Sequence, residues 1–307
     1  MNPQFHRNKY GLVEFIFYGN YFYGLCVAAL SVEASLQQRV PLNKWWYYVL
    51  AFLATVLFYS HPYIRKTAPG SSNRRTNWYT RNYILLQWTQ SVITVILLIA
   101  AVLFLYHYHK EVWSMTAMQW GLIFIFPVVG ALYYGLDVLS GKYNLRRIGW
   151  MKPFIIGFTW AGMVNVYPVL LYDIIHQLPY TFTVVGALLF LKNMMFVTVL
   201  CIMFDIKDYA EDYIVRLGTF VVKLGLRRTI FYILLPLSLL GLGTFVTYAV
   251  ANHFHPVKIL LNVIPFALLI IVALSLRRRR RLLYYLVVVD GLMLAKAVCG
   301  TVAMAYF

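Results

Sequence analysis

"LLFLKNMMFVTVLCIMFDIKDYAED", Leu188 to Asp212, decides the fold class. Most of it is an apolar run, and the residues from Thr181 onward extend that run to the length of a bilayer-crossing helix. Such a helix needs about 20 mostly apolar residues. The run ends in Asp205, Asp208, Glu211 and Asp212, four of the ten Asp and Glu in a chain that carries 27 Lys and Arg. A basic, apolar chain thus collects its scarce acids at the end of one membrane-length segment.

The same apolar pattern recurs on both sides of this stretch. Of the 307 residues, 62% are apolar and 12% charged, against about 25% charged in a soluble domain. The expected class is an all-α, polytopic membrane protein. Cys26, Cys201 and Cys299 all lie in apolar runs, which excludes a disulfide framework and metal-type cysteine spacing. The first apolar stretch lacks a small-residue cleavage site, so no removable signal peptide is expected. No internal repeat or linker marks a second domain, and residues 1–307 are expected to form one transmembrane helical domain.

Nine spans are expected: Ile16–Leu36, Trp45–His61, Tyr83–Tyr106, Val112–Tyr134, Trp150–Leu171, Thr181–Phe204, Ile230–Val250, Ile259–Leu276 and Leu282–Ala305. The loops after the second, fourth, sixth and eighth hold eighteen Lys and Arg, and the others hold Arg39, Lys44, Lys110 and Lys258. The positive-inside rule then puts the basic loops and the N-terminus in the cytoplasm and the C-terminus outside. The expected location is a bacterial inner (plasma) membrane. "RRRRR", Arg277–Arg281, reads as a tight turn at anionic headgroups. Membrane lipids are therefore expected partners and nucleic acid is not.

On a helix, Asp205, Asp208 and Asp212 fall at i, i+3 and i+7 and share a face, with Glu211 nearer the flank. Stacked carboxylates repel one another, more so beside low-dielectric walls. A hard divalent cation turns that repulsion into attraction. Mg²⁺ keeps several waters and is commonly shared with substrate phosphates. The spacing thus points to a Mg²⁺–phosphate site. The alternative is a solvated helix end whose acids pair with Lys207, Arg216 or nearby basic loops.

"FDIKDYAED" followed by "YIVRLGTFVVKLGLRRT" resembles the second aspartate-rich motif of the UbiA-type intramembrane prenyltransferases. Asp205, Asp208 and Asp212 match its three acids, Thr219 to Val222 stand where a Thr-Leu-Pro-Val turn would, and Leu224-Gly225 follow. "LRRIGWMK", with Arg146 and Lys152, resembles the family's basic diphosphate-contacting segment. The resemblance implies a nine-helix bundle that uses Mg²⁺ to grip an isoprenoid (prenyl) diphosphate donor. The prenyl group would pass to a lipid-soluble, aromatic or lipid-like acceptor. Metal and basic groups would stabilise the leaving diphosphate, and aromatic faces the allylic cation.

The chain departs from that pattern at the family's first acid motif. From Ala34 to Lys110 there is no Asp or Glu. Ser60-His61 stand where Asn-Asp would begin, and the following loop carries Arg65, Lys66, Arg74, Arg75 and Arg81. Arg65 and Arg75 become candidate direct contacts to a diphosphate, since Arg binds phosphate bidentately. Asn20 and His61 are further substrate-binding candidates, with a helix–helix hydrogen bond and an interfacial histidine as the plainer readings. Lys192, Asp290 and Lys296 lie within spans, where ionisable groups are functional suspects. Glu33 reads as an interfacial residue. Two other functions stay open: a non-catalytic relative that binds a prenyl diphosphate, lipid or partner protein, and a transporter.

Overall fold

The computed structural model describes residues 11–65, 74–134, 148–278 and 280–307. Every regular element among them is helical. Seven helices are long and apolar enough to cross a membrane: Trp45–Ile64, Tyr83–His107, Lys152–Ile175, Val184–Lys207, Leu226–Ala251, Pro256–Ser275 and Leu282–Tyr306. An eighth is reached if Gly11–Tyr18 and Tyr21–Gln37, bent by 59° at their junction, count as one broken span.

The expected fourth span, Val112–Tyr134, is not one continuous helix. It divides into a five-residue helix, His109–Trp113, and a second helix, Ala117–Tyr134. The division is written in "TAMQ". Thr116 Oγ1 accepts from the Gln119 N–H, and Gln119 Oε1 accepts from the Thr116 N–H at 2.8 Å. This is a reciprocal capping box, and it starts a new helix at Ala117.

The chain forms two compact units, Met1–Ala28 with Lys44–His107, and Ala29–Asn43 with Tyr108–Phe307. The first contains α1 (Gly11–Tyr18), the start of α2 (Tyr21–Gln37), α3 (Trp45–Arg65), α4 (Arg74–Arg81) and α5 (Tyr83–His107). Asn20 separates α1 from α2 with φ 63°, a left-handed conformation that Asn tolerates better than most residues. The break frees carbonyls at the end of α1, and α4 supplies donors for them. Arg75 and Tyr79 donate to Tyr18 O at 3.0 and 2.9 Å. Asn20 Nδ2 donates to Ser60 Oγ at 3.0 Å and to Tyr79 Oη at 3.1 Å. Alongside α3, α5 buries only Leu86 and Ile93 and leaves most of its apolar side chains exposed.

The second unit contains α6 (His109–Trp113), α7 (Ala117–Tyr134), α8 (Lys152–Ala161), α9 (Tyr167–Ile175), α10 (Val184–Lys207), α11 (Tyr209–Ile214), α12 (Phe220–Leu224), α13 (Leu226–Thr229), α14 (Leu235–Ala251), α15 (Pro256–Ser275), α16 (Leu282–Tyr284) and α17 (Gly291–Tyr306). Single π-helical turns at Gly162–Val166, Ile230–Leu234 and Tyr285–Val289 join α8 to α9, α13 to α14 and α16 to α17. The central element is α10, packed between α8 and α14. It is capped by Thr183, whose hydroxyl accepts from the Gly186 N–H at 2.9 Å. Gly157 lets α8 approach closely: a Cβ there would lie 2.3 Å from Thr198 Oγ1 and 2.7 Å from Met194 O.

An ionic network is buried in this unit. Glu33 of α2 is fully buried and accepts from Lys296 Nζ of α17 at 2.6 Å and from Lys192 Nζ of α10 at 3.4 Å. Gln37 donates to Glu33 at 2.9 Å and to Asn262 Oδ1 of α15 at 3.0 Å, and accepts from Lys192 at 2.6 Å. Tyr248 of α14 donates to Gln37 O at 2.6 Å. Five helices therefore meet on one carboxylate and one amide. Glu33, expected at the interface, instead holds two lysines far from it in sequence.

Candidate functional site

The end of α10 carries Asp205, and the chain then departs from a single continuous helix. Lys207 is the last residue of α10, Asp208 has φ −89° and ψ 6°, and α11 starts at Tyr209. The expected stack of Asp205, Asp208 and Asp212 on one helical face is therefore interrupted at its middle member. The following chain turns back through Arg216 at φ 53° and Thr219, which caps α12. Gly149 lies against this turn, where a Cβ would stand 2.7 Å from the Thr219 N–H nitrogen. That close approach, with Phe154 against Phe220 at 6.2 Å, brings the start of α8 beside the acids.

Lys152, in the first turn of α8, places its Nζ 2.8 Å from Asp205 Oδ1. The Asp205 side chain is fully buried and that of Lys152 is 21% exposed. Asp208, part-exposed, pairs with its neighbour Lys207. Asp212 is buried, and Glu211 is exposed. Asp205 Oδ2 and Asp212 Oδ2 are both buried without a hydrogen-bond partner. Burial raises the Asp212 carboxyl above the ordinary aspartate range; Lys152 draws it down, while Asp208 and Glu211 push it up. One cluster therefore contains Lys152, Asp205, Asp208 and Asp212, four of the residues singled out in the sequence.

Among the described residues, no group of three or more His, Cys, Asp and Glu side chains converges tightly enough to cage a metal ion. Two of the acids instead turn toward lysines. What remains is two carboxylate oxygens without partners, a hard-oxygen donor set. That fits Mg²⁺, which is held by one or two carboxylates and completes its octahedron with waters and phosphate oxygens. Asp205 and Asp212 would hold it. Bound there, the ion would supply positive charge to a phosphate group.

The other substrate-binding candidates belong to the first unit or fall outside the described residues. Arg146 lies outside them, as does the side chain of Arg65, whose backbone ends α3. His61 is exposed on α3. Asn20 and Arg75 are brought together: the guanidinium donates to Asn20 Oδ1 and Tyr18 O, and lies 4.2 Å from the centre of the Tyr63 ring. Arg75 is thus engaged at the helix break. Asp290 is buried at the junction of a π turn and α17.

No family model matches the chain, and neither a curated protein nor a solved structure matches it significantly.

Proposed function

We propose that the chain is a UbiA-like intramembrane prenyltransferase whose donor site is the cluster of Lys152, Asp205, Asp208 and Asp212. The observation that carries this reading is the pair of buried carboxylates, Asp205 and Asp212, each with an unpartnered oxygen beside Lys152. A buried polar atom without a partner costs about 1–3 kcal/mol, more when charged. Two of them in one cluster favour a ligand that satisfies both. Mg²⁺ would bring charge that stabilises a leaving diphosphate. The Lys152 ammonium would contact the phosphate oxygens, and the neighbouring spans would house the isoprenoid chain and a lipid-soluble acceptor. The excess of Lys and Arg in the loops favours a cytoplasmic opening.

The lysine pairs favour a second reading. Lys152 and Lys207 already neutralise Asp205 and Asp208, as suits a relative that binds a prenyl diphosphate without transferring it. One experiment addresses both readings. Thermal unfolding of the purified chain in detergent is followed with farnesyl or geranylgeranyl diphosphate, with Mg²⁺ or with EDTA. The proposal expects stabilisation that requires Mg²⁺, near 2.7 kcal/mol at a ligand concentration about 100 times Kd, and its loss in Asp212→Asn. Stabilisation without turnover against a panel of aromatic and lipid acceptors selects the binder. No ligand effect at any concentration refutes both.

A further inference from the structure

We infer that Lys152 is a resident counter-ion of the acid cluster, which a divalent cation displaces from Asp205, releasing its ammonium toward the phosphate groups of the ligand. The inference rests on the reading of Asp205 and Asp212 as a cation site. It adds an order of events to that site: the metal enters by exchange with a side chain, and the exchange creates the second phosphate contact.

Charge and position support the exchange. Asp205, Asp208, Glu211 and Asp212 carry four negative charges, and Lys152 and Lys207 return two positive ones. The two lysines are not equivalent. Lys207 is adjacent in sequence to its partner, and both side chains of that pair are partly exposed, at 22% and 30%, so water screens them. Lys152 reaches across from another helix to a carboxylate that is fully buried. It occupies one oxygen of Asp205 and leaves the other without a partner. Asp212 Oδ2 is likewise buried without a partner, and a doubly charged ion with several coordination places can engage more than one carboxylate. The Lys152 side chain retains some exposure, and its flexible stem allows the head to move outward.

Such an exchange couples two ligands. While Lys152 sits on Asp205, metal must compete with it, which lowers the apparent metal affinity. Once metal has taken the carboxylate, the ammonium is available to phosphate. Metal and phosphate then strengthen each other's binding by the same factor, as linkage requires. Without Lys152, metal should bind more tightly and phosphate more weakly, so the two affinities move in opposite directions.

The test uses the full chain in detergent with Mn²⁺ as the metal probe, followed by the loss of its free-ion paramagnetic resonance signal. Inorganic pyrophosphate serves as the phosphate probe. Lys152→Met and Lys152→Gln are expected to bind Mn²⁺ about tenfold more tightly than the unaltered chain, within the usual range of coupling factors. Pyrophosphate at saturating Mn²⁺ should weaken by a similar factor. Lys207→Met is expected to change Mn²⁺ affinity much less. In the unaltered chain, the acetylation rate of Lys152, read by mass spectrometry, should rise several-fold when Mn²⁺ is added. That readout does not depend on any variant folding. Mn²⁺ binding with no tightening in either Lys152 variant, or with unchanged Lys152 acetylation, overturns the exchange and leaves the cation site standing. Failure of the unaltered chain and of both variants to bind Mn²⁺ overturns the cation site as well.

Discussion

Replacing Glu33 by Gln removes one negative charge from the interior of the second unit and leaves Lys192 and Lys296 facing a neutral amide. At an effective dielectric of about 20, attraction to Glu33 is roughly 6 kcal/mol for Lys296 at 2.6 Å and roughly 5 kcal/mol for Lys192 at 3.4 Å. Desolvation of the three groups offsets much of this. Removing one partner of a buried pair nevertheless costs about 3–5 kcal/mol, because the charge left behind has no counterpart. Here two lysines lose their shared counter-charge, so Glu33→Gln should cost an amount within that range. The assay is reversible unfolding in mixed micelles with increasing sodium dodecyl sulfate, followed by far-UV circular dichroism. The combined Glu33→Met, Lys192→Met, Lys296→Met protein removes all three charges and should regain most of the loss, since apolar replacement of a buried ionic group is often neutral or stabilising. Gly300→Ala probes the same place sterically: its Cβ would stand 2.5 Å from Glu33 Oε1. A Glu33→Gln loss below about 1 kcal/mol, the scale of an exposed pair, would refute the assignment of this network as a buried clamp.

Three further expectations follow from the geometry. Gly157→Ala drives a Cβ into Thr198 Oγ1 and Met194 O; it should cost about 1–3 kcal/mol, measured by the same unfolding assay. Arg75→Leu removes donors to Tyr18 O and Asn20 Oδ1 and the stacking on Tyr63; a loss of about 3 kcal/mol is expected from hydrogen bonds to a charged donor, with hydrogen exchange increasing first at residues 18–24. Asp212 has a raised carboxyl pKa because it is buried. The folded chain therefore holds this proton at pH values where the unfolded chain has lost it, and stability falls as pH rises from about 3.9 through the raised native value. Thermal melts across that window should show a smaller fall in Asp212→Asn.

The helical class was legible because apolar run length is a direct physical requirement of crossing a bilayer. The local breaks were less so. "TAMQ" is a readable capping box, yet it lies within a stretch whose hydropathy continues across it. Asn20 breaks a helix in a way that only the donors from Arg75 and Tyr79 explain, and those lie more than 50 residues away. The candidate site was legible in composition only as scarce acids gathered at one helix end. Its geometry was not, because the i, i+3, i+7 reading assumes a continuous helix and α10 ends before Asp208. Lys152 was marked as a basic group near the phosphate, but no spacing rule gives its contact with Asp205. Glu33 was missed for a similar reason: its partners at Lys192 and Lys296 come from other helices. A carboxylate in an apolar run, in a chain with two lysines likewise inside spans, was the available signal.

The sparsely packed α5, long and apolar enough to cross a membrane, would give a bilayer a hold on the first unit. Its 25 residues rise about 37 Å at 1.5 Å each, against a hydrocarbon core of about 30 Å. A helix with so little protein around it answers mainly to the lipid, through tilt or local thickening at a modest cost per ångström. Membrane thickness would then be a mechanical input. A thinner bilayer would lean α5 further, with α3 beside it and the short α4, which Asn82 joins to its start. The Arg75 and Tyr79 donors that close the α1–α2 break sit on that α4, so the strain at Asn20 is exposed to the composition of the surrounding membrane.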